Sequence, residues 1–148
     1  MNYRKIEKLF TENDTKEIIK KYDPLCVEKG RVGTVTDKSI DDKGEYDTYF
    51  RESLVYFIHP DCQFSKYTKN NYFNWHQDFG RSYTIVILLN DEFEGGNFEM
   101  LNMFSHGDLG IHDTKLKVGD CIMLPASIHH RVSPIKEGVR YSLTMWHR

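Results

Sequence analysis

The sequence predicts a mainly β protein: a sandwich or barrel of short strands, with one helical segment at its start covering one sheet. Three observations carry this prediction. Turn-forming glycine, proline and asparagine recur at short intervals after Pro24. The segments between them are rich in β-branched and aromatic residues, the composition of strands. Helical periodicity is confined to the residues before Pro24. Many short strands separated by turns are the pattern of closed or two-layered β architectures.

Residues 3 to 22 read as the helical segment. Ile6, Leu9, Phe10, Ile18 and Ile19 fall at roughly helical spacings, and Thr11, Asn13 and Asp14 offer an internal cap where one helix stops and a second begins. Pro24 ends the segment. Lys16, Lys20 and Lys21 alternate with glutamates, which describes a solvated helix face better than a nucleic-acid surface. Next, "VEKGRVGTVTDKS" predicts a hairpin around Gly30 or Gly33, and "TYFRESLVYFIHP" is β-branched and aromatic. Tyr46, Tyr49, Phe50, Tyr56 and Phe57 read as strand core or sheet cover. "CQFSKYTKNNYFNWHQD" reads as two strands joined at Asn70-Asn71. "SYTIVILLN" is apolar on both faces and predicts a buried strand. "DEFEGG" reads as a turn, "NFEML" as a short strand and "HGDLGIHDTK" as a loop. "KVGDCIMLPAS" and "IHHRVSPI" read as strands, and "KEG" as the turn into a last strand, "VRYSLTMWH", paired to the preceding one.

A chain of 148 residues suits one domain spanning 1–148. With 39% hydrophobic and 28% charged residues, its composition is globular. The net charge of −2, from 20 basic and 22 acidic residues, removes a strong electrostatic case for nucleic acid or an acidic membrane as partner. Cys26, Cys62 and Cys121 are odd in number and far apart, so they form neither a disulfide framework nor a paired-cysteine metal site. They read as buried thiols in a reducing compartment. The opening "MNYRKIEKLF" is too polar for a signal peptide, and no apolar run approaches membrane-spanning length. The expectation is a soluble cytoplasmic protein.

The chemistry is concentrated in "NWHQDFGRSYT". His76 and Asp78 stand two apart, and residues i and i+2 of a strand point the same way. A third ligand has to come from a neighbouring strand. The candidates are His59, His106, His112, His129, His130 and His147. In "SIHHRV", Ile128, His130 and Val132 share an apolar face that looks inward, so His130 is the candidate and His129 faces solvent. The other histidines read as loop or surface residues. Two histidines and a carboxylate form the facial triad of non-haem Fe(II) oxygenases, though zinc accepts the same residue types. Arg140 separates the two readings. It shares a strand face with Ser142, and a buried guanidinium needs an anion. Its two-pronged fork suits a carboxylate. An inward arginine near such a triad points to a dicarboxylate cosubstrate reaching from metal to arginine.

From about residue 64 to 146 the chain resembles the Fe(II)/2-oxoglutarate-dependent dioxygenases, and within them the prolyl-4-hydroxylase-like and PKHD-type hydroxylases. The resemblance rests on an ordered series: His76 and Asp78, Gly95-Gly96, Gly119-Asp120, His130 with Val132 and Pro134, Gly138, and Arg140 with Ser142. It implies a double-stranded β-helix, or jelly roll. It further implies that His76, Asp78 and His130 bind Fe(II), and that Arg140, with Ser142 and Tyr67 assisting, holds the far carboxylate of 2-oxoglutarate. The implied activity couples oxidative decarboxylation of 2-oxoglutarate, giving succinate and CO2, to hydroxylation of a C–H by O2. Its substrate would be a peptidyl proline, another amino-acid side chain or a small molecule. Ascorbate binding belongs to the same set of implications. Two features depart from the pattern. Leu88 stands where many prolyl hydroxylases carry a tyrosine, and only 13 residues separate "RES" (Arg51 to Ser53) from Tyr67, a span that is long and partly helical in many relatives. These departures keep alternatives open: a metal-binding jelly roll that acts as a sensor or binding module, or a cupin-type enzyme without 2-oxoglutarate turnover.

Overall fold

The computed structural model describes residues 3–26, 28–29, 47–51, 62–103 and 109–147. The hairpin expected around Gly30 or Gly33, the segment from Glu52 to Pro60, Tyr46, His59 and His106 lie outside the described residues, as do the side chains of Tyr49 and Phe50. The chain runs β1 (Arg4–Ile6), α1 (Glu12–Tyr22), a 3-10 turn (Asp23–Leu25), β2 (Glu28–Lys29), β3 (Asp47–Arg51), β4 (Cys62–Tyr67), β5 (Phe73–His76), β6 (Tyr83–Leu88), β7 (Phe93–Gly95), β8 (Phe98–Met103), β9 (Leu109–Asp113), β10 (Cys121–Pro125), β11 (His130–Val132), β12 (Ile135–Gly138) and β13 (Arg140–His147). The larger sheet has the order β1-β10-β6-β13-β4-β3-β2, the smaller β5-β11-β8-β9, and β7 and β12 form a two-stranded ribbon. The expected jelly roll with its covering helix is what the structure contains.

Both faces of the larger sheet are covered. On one face Tyr67, Val86, Ile122 and Leu124 pack against Phe98, Met100 and Val132 of the smaller sheet. On the other, Phe64, Ile87, Cys121, Leu143 and Met145 pack against Phe10, Ile18, Ile19 and Tyr22. This explains why "TIVIL" has no polar face: β6 sits between β10 and β13, with a layer on either side.

Helix α1 is half of the segment expected to be helical. Thr11 is its N-cap, accepting from the Asp14 amide while Asp14 accepts from the Thr11 amide, so the polar cluster starts the one α-helix among the described residues instead of separating two. Residues Arg4–Ile6 are a strand because the edge of β10 offers them a ladder, Arg4↔Met123 to Ile6↔Cys121. Asp120 then fixes the turn by accepting from the Lys8 amide, and the Phe10 amide donates to the Gly119 carbonyl.

Four more expectations are corrected. "HGDLGIHDTK" contains β9, which pairs with β8 from Glu99↔Asp113 to Met103↔Leu109, so His112 is on a strand, as is the exposed His147 of β13. "DEFEGG" and "KEG" hold the paired strands β7 and β12 in place of two turns. Consequently β13 does not pair with β11. The segment after Pro134 crosses between sheets, and β13 enters the larger one between β4 and β6. Cys26 is half-buried, unlike Cys62 and Cys121. Among the described residues, no helix is long and apolar enough to cross a membrane.

Burial pushes the Cys62 thiol up to about 12 and the Cys121 thiol up to about 11. The reactive thiolate is then scarce at neutral pH. In the folded protein at pH 8, iodoacetamide leaves Cys62 and Cys121 unmodified, and both react once the chain is denatured. Peptide mass spectrometry before and after denaturation reads this out.

Candidate metal and cosubstrate site

Strands β5 and β11 are neighbours, and their register sets His76 directly opposite His130. His130 is 3% exposed and flanked by Val132 and Ile128 on the apolar side, whereas His129 is exposed, as the strand alternation predicts. Asp78 lies two residues past the end of β5. Its amide donates to the Ala126 carbonyl at 3.0 Å, and its Oδ2 accepts from the Thr84 hydroxyl on β6. The Asp78 carboxylate stands 3.6 Å from His76 Nε2 and 3.2 Å from His130 Nε2. One ligand atom from each of the three residues lies within 4.8 Å of those of the other two.

The backbone sets the tautomers. His76 Nδ1 is 2.7 Å from the Asn74 carbonyl and His130 Nδ1 is 2.8 Å from the Ile128 carbonyl. A carbonyl only accepts, so each Nδ1 carries its proton and each neutral imidazole leaves Nε2 as a bare lone pair. Both lone pairs then face a carboxylate, and that arrangement is repulsive without a proton or a cation between them. Asp78 is held as a carboxylate. Where a proton fills that place, burial still raises the Asp78 pKa, but the hydrogen bond and charge of a protonated His130, the charge of a protonated His76 and the Thr84 hydroxyl together outweigh burial and bring it to about 2. A cluster with two imidazole nitrogens, one ionised oxygen and carbonyl-anchored rings fits a divalent first-row metal.

Arg140 comes from the opposite layer. It opens β13, is 1% exposed, and lies across the ladder from Tyr67 on β4. Its guanidinium carbon is 5.4 Å from the Tyr67 ring centroid, and Nη1 donates to Ser142 Oγ at 3.0 Å. Nε is buried with no hydrogen-bond partner among the described residues. Burial pulls the guanidinium pKa down to about 10, so it is still cationic at neutral pH. Among the described residues no carboxylate forms a salt bridge with it. A cavity beside it is lined by Leu88, Phe93, Gly96, Phe98 and Leu116, with Lys115 and Asp113 also on its wall. A buried cation with an orphaned donor, next to a cavity, fits one carboxylate end of a dianion.

The structure thus gathers His76, Asp78 and His130 in one cluster and Arg140, Ser142 and Tyr67 in another. Thr84 and Phe98, whose ring lies 5.6 Å from that of His130, are site residues that sequence reasoning missed. Thr84 had a signal: it is the polar residue on the inward face of an otherwise apolar strand.

Gly96 protects the arginine. At φ +60 its backbone is in the left-handed region, and a Cβ there would lie 2.4 Å from Ile135 Cδ1 and 3.0 Å from Arg140 Cδ. Gly80 has a similar φ of +75 but nothing within 4 Å of its Cβ position. Both substitutions to alanine incur the left-handed cost of about 1–2 kcal/mol. Gly96→Ala adds a steric cost of about 1–3 kcal/mol. Urea unfolding of the two variants, side by side, should show Gly96→Ala as clearly the less stable.

Comparison with known proteins agrees with this geometry. The family model described as the 2OG-Fe(II) oxygenase superfamily matches residues 62–148. A PKHD-type hydroxylase of Aliarcobacter butzleri is 39% identical over 56 residues, covering 38% of this chain and 23% of that protein. One from Xylella fastidiosa strain M23 is 27% identical over 116 aligned residues, covering 66% of this chain and 48% of that protein. The chain therefore spans between about a quarter and about half of the length of these curated relatives. A Pseudomonas putida prolyl-4-hydroxylase superposes with a TM-score of 0.72 at 14% identity, over 99% of this chain and 91% of that one. A Trichoplax adhaerens prolyl hydroxylase, solved with a hypoxia inducible factor peptide fragment, gives 0.73 at 14% identity, over 97% and 82%. These structures share the fold. With more than half of its residues matched by the family model, the chain belongs to the 2OG-Fe(II) oxygenase superfamily.

Proposed function

We propose that this protein is an Fe(II)- and 2-oxoglutarate-dependent hydroxylase, in which His76, Asp78 and His130 hold the metal and Arg140 holds the distal carboxylate of the cosubstrate. The observation that carries the reading is Arg140: a fully buried guanidinium with a free donor and, among the described residues, no carboxylate partner. A metal-binding module has no use for it. When bound, iron supplies the redox chemistry by which one O2 converts 2-oxoglutarate and a substrate C–H into succinate, CO2 and a C–OH. The chain's residues do the rest. Carbonyl anchoring of both Nδ1 protons keeps the Nε2 lone pairs on the metal side. Thr84 fixes the rotamer of the Asp78 carboxylate. Ser142 and Tyr67 steady the guanidinium from its two sides.

The substrate class we infer is a peptidyl proline or another amino-acid side chain. Support comes from the relatives called PKHD-type hydroxylases and from the Trichoplax enzyme with its bound peptide. A second reading, metal binding without turnover, has one observation in its favour. Leu88 lines the cavity beside Arg140, so no hydroxyl reaches a carboxylate from that wall. Succinate release from 2-oxoglutarate with Fe(II) and ascorbate, without and then with proline-containing peptides, separates the two.

Arg140→Ala is the sharper test. It retains the three metal ligands and should leave Mn(II) affinity nearly unchanged. Loss of a buried charge-assisted pair costs roughly 2–5 kcal/mol, which is about 30- to 5,000-fold in 2-oxoglutarate affinity. Arg140→Lys keeps the charge without the fork and should rescue only part. The measurement is calorimetric titration of 2-oxoglutarate into anaerobic Mn(II) protein. Unchanged affinity in a folded Arg140→Ala protein defeats the cosubstrate assignment.

A further inference from the structure

The pairing of β5 with β11 is irregular. His130 is opposite His76, but Val132 is opposite Phe73, so two steps along β11 span three along β5. Asn74 and Trp75 together therefore face Arg131, the arrangement of a β-bulge. Three consequences are visible. Phe73 and His76, three apart, both turn inward, with ring centroids 3.8 Å apart. The Asn74 carbonyl is turned to accept from His76 Nδ1 at 2.7 Å. The Trp75 amide is taken up by the Asn74 side chain at 2.9 Å. The bulge thus sets both the direction and the tautomer of His76.

Bulges need to be held, and on the outer face of the sheet something holds this one. The Arg131 guanidinium lies 4.8 Å from the centroid of the Trp75 ring. Its Nε donates to Glu99 Oε2 at 2.7 Å, and Glu99 is its directly paired residue on β8. One side chain each from β5, β11 and β8 is tied together, immediately behind His76 and His130. The ion pair is sheltered, with side-chain exposures of 29% for Arg131 and 12% for Glu99. An ordinary surface pair, Lys69–Glu137, has a similar distance of 2.6 Å but exposures of 60% and 66%.

We propose that Glu99, Arg131 and Trp75 form a clamp on the outer face that positions the two histidines for metal binding, by locking the bulge from behind. These are positioning residues that touch neither metal nor cosubstrate. The inference rests on the metal reading of His76, Asp78 and His130. Its distinguishing content is that a salt bridge on the far side of the sheet governs affinity and geometry at the metal, beyond any effect on stability. Arginine suits the role because its flat face can stack on the indole while its edge meets the carboxylate, and lysine cannot do both.

The test uses Co(II) as probe in oxygen-free buffer, with affinity read by titration and coordination read from the visible absorption bands. Arg131→Met and Trp75→Leu should each weaken Co(II) binding about 10- to 100-fold, the range seen when groups that orient metal ligands are removed. Both should shift the absorption bands. The double variant should lose little more than either single one, because both remove the same clamp. Arg131→Lys should recover part of the affinity, and it remains readable if Arg131→Met folds poorly. Glu137→Gln, which breaks the exposed control pair, should leave affinity and spectrum unchanged. A folded Arg131→Met or Arg131→Lys protein with wild-type affinity and bands would overturn the clamp, even if its melting temperature falls. Wild-type protein that binds neither Co(II) nor Mn(II) would overturn the metal site itself, and the clamp with it.

Discussion

A cationic guanidinium sealed between two sheets is the constraint around which this structure is arranged. Taking such a charge out of water costs several kcal/mol, and an internal carboxylate would offset that cost. Arg140 has none among the described residues, only a serine hydroxyl, a tyrosine ring and a donor left over. The fold tolerates the deficit because the neighbours are shaped to leave room. Gly96 gives up its side chain at a strained φ so that the arginine's Cδ can pass. Leu88 and Phe98 give the cavity a dry wall, and low polarity there would strengthen the attraction for any anion that arrives. The energetic shortfall of the unpaired guanidinium is thus the affinity it can offer to an anion.

The two layers divide the work. The smaller sheet carries both imidazoles, each aimed by a carbonyl two residues upstream. The larger sheet carries Arg140 and Thr84. Asp78 belongs to neither, and Thr84 ties it to the larger sheet while its carboxylate meets the histidines of the smaller one. The distance between the cluster of His76, Asp78 and His130 and the guanidinium is therefore a packing distance. It is set by Val86, Ile122 and Leu124 on one side and by Phe98, Met100 and Val132 on the other.

Much of this was legible in the sequence, and the illegible parts have physical causes. Alternation along "SIHHRV" correctly turned His130 in and His129 out, because a strand with one apolar face has only one stable orientation. The same logic buried "TIVIL". The partner of β13 was not legible. The turn signal at "KEG" looked like a hairpin, and nothing local reveals that β12 instead pairs with a strand some forty residues earlier and sends the chain to the other sheet. Residues 3 to 10 carried helical spacing too weak to resist the open edge of β10. The bulge in β5 was invisible for a related reason: it is a mismatch between two strands, and a single strand does not display it.

That last point bears on why the site is built as it is. A regular strand would place Phe73 and Trp75 on one face and Asn74 and His76 on the other. The extra residue breaks this alternation, so the chain can hold Phe73 and His76 inside together and release Trp75 to the outer face. The inner result is an imidazole with an aromatic backing and a carbonyl on Nδ1. The outer result is an indole on which Arg131 can lie. A single inserted residue thus prepares both sides of the sheet, and the same strand that brings His76 into the cluster with Asp78 and His130 also offers Arg131 the indole against which it lies. Sequence spacing alone would give His76 and Asp78 a common face. It is the irregular pairing behind them that gives His76 its tautomer, and hence a lone pair pointing where Asp78 and His130 converge.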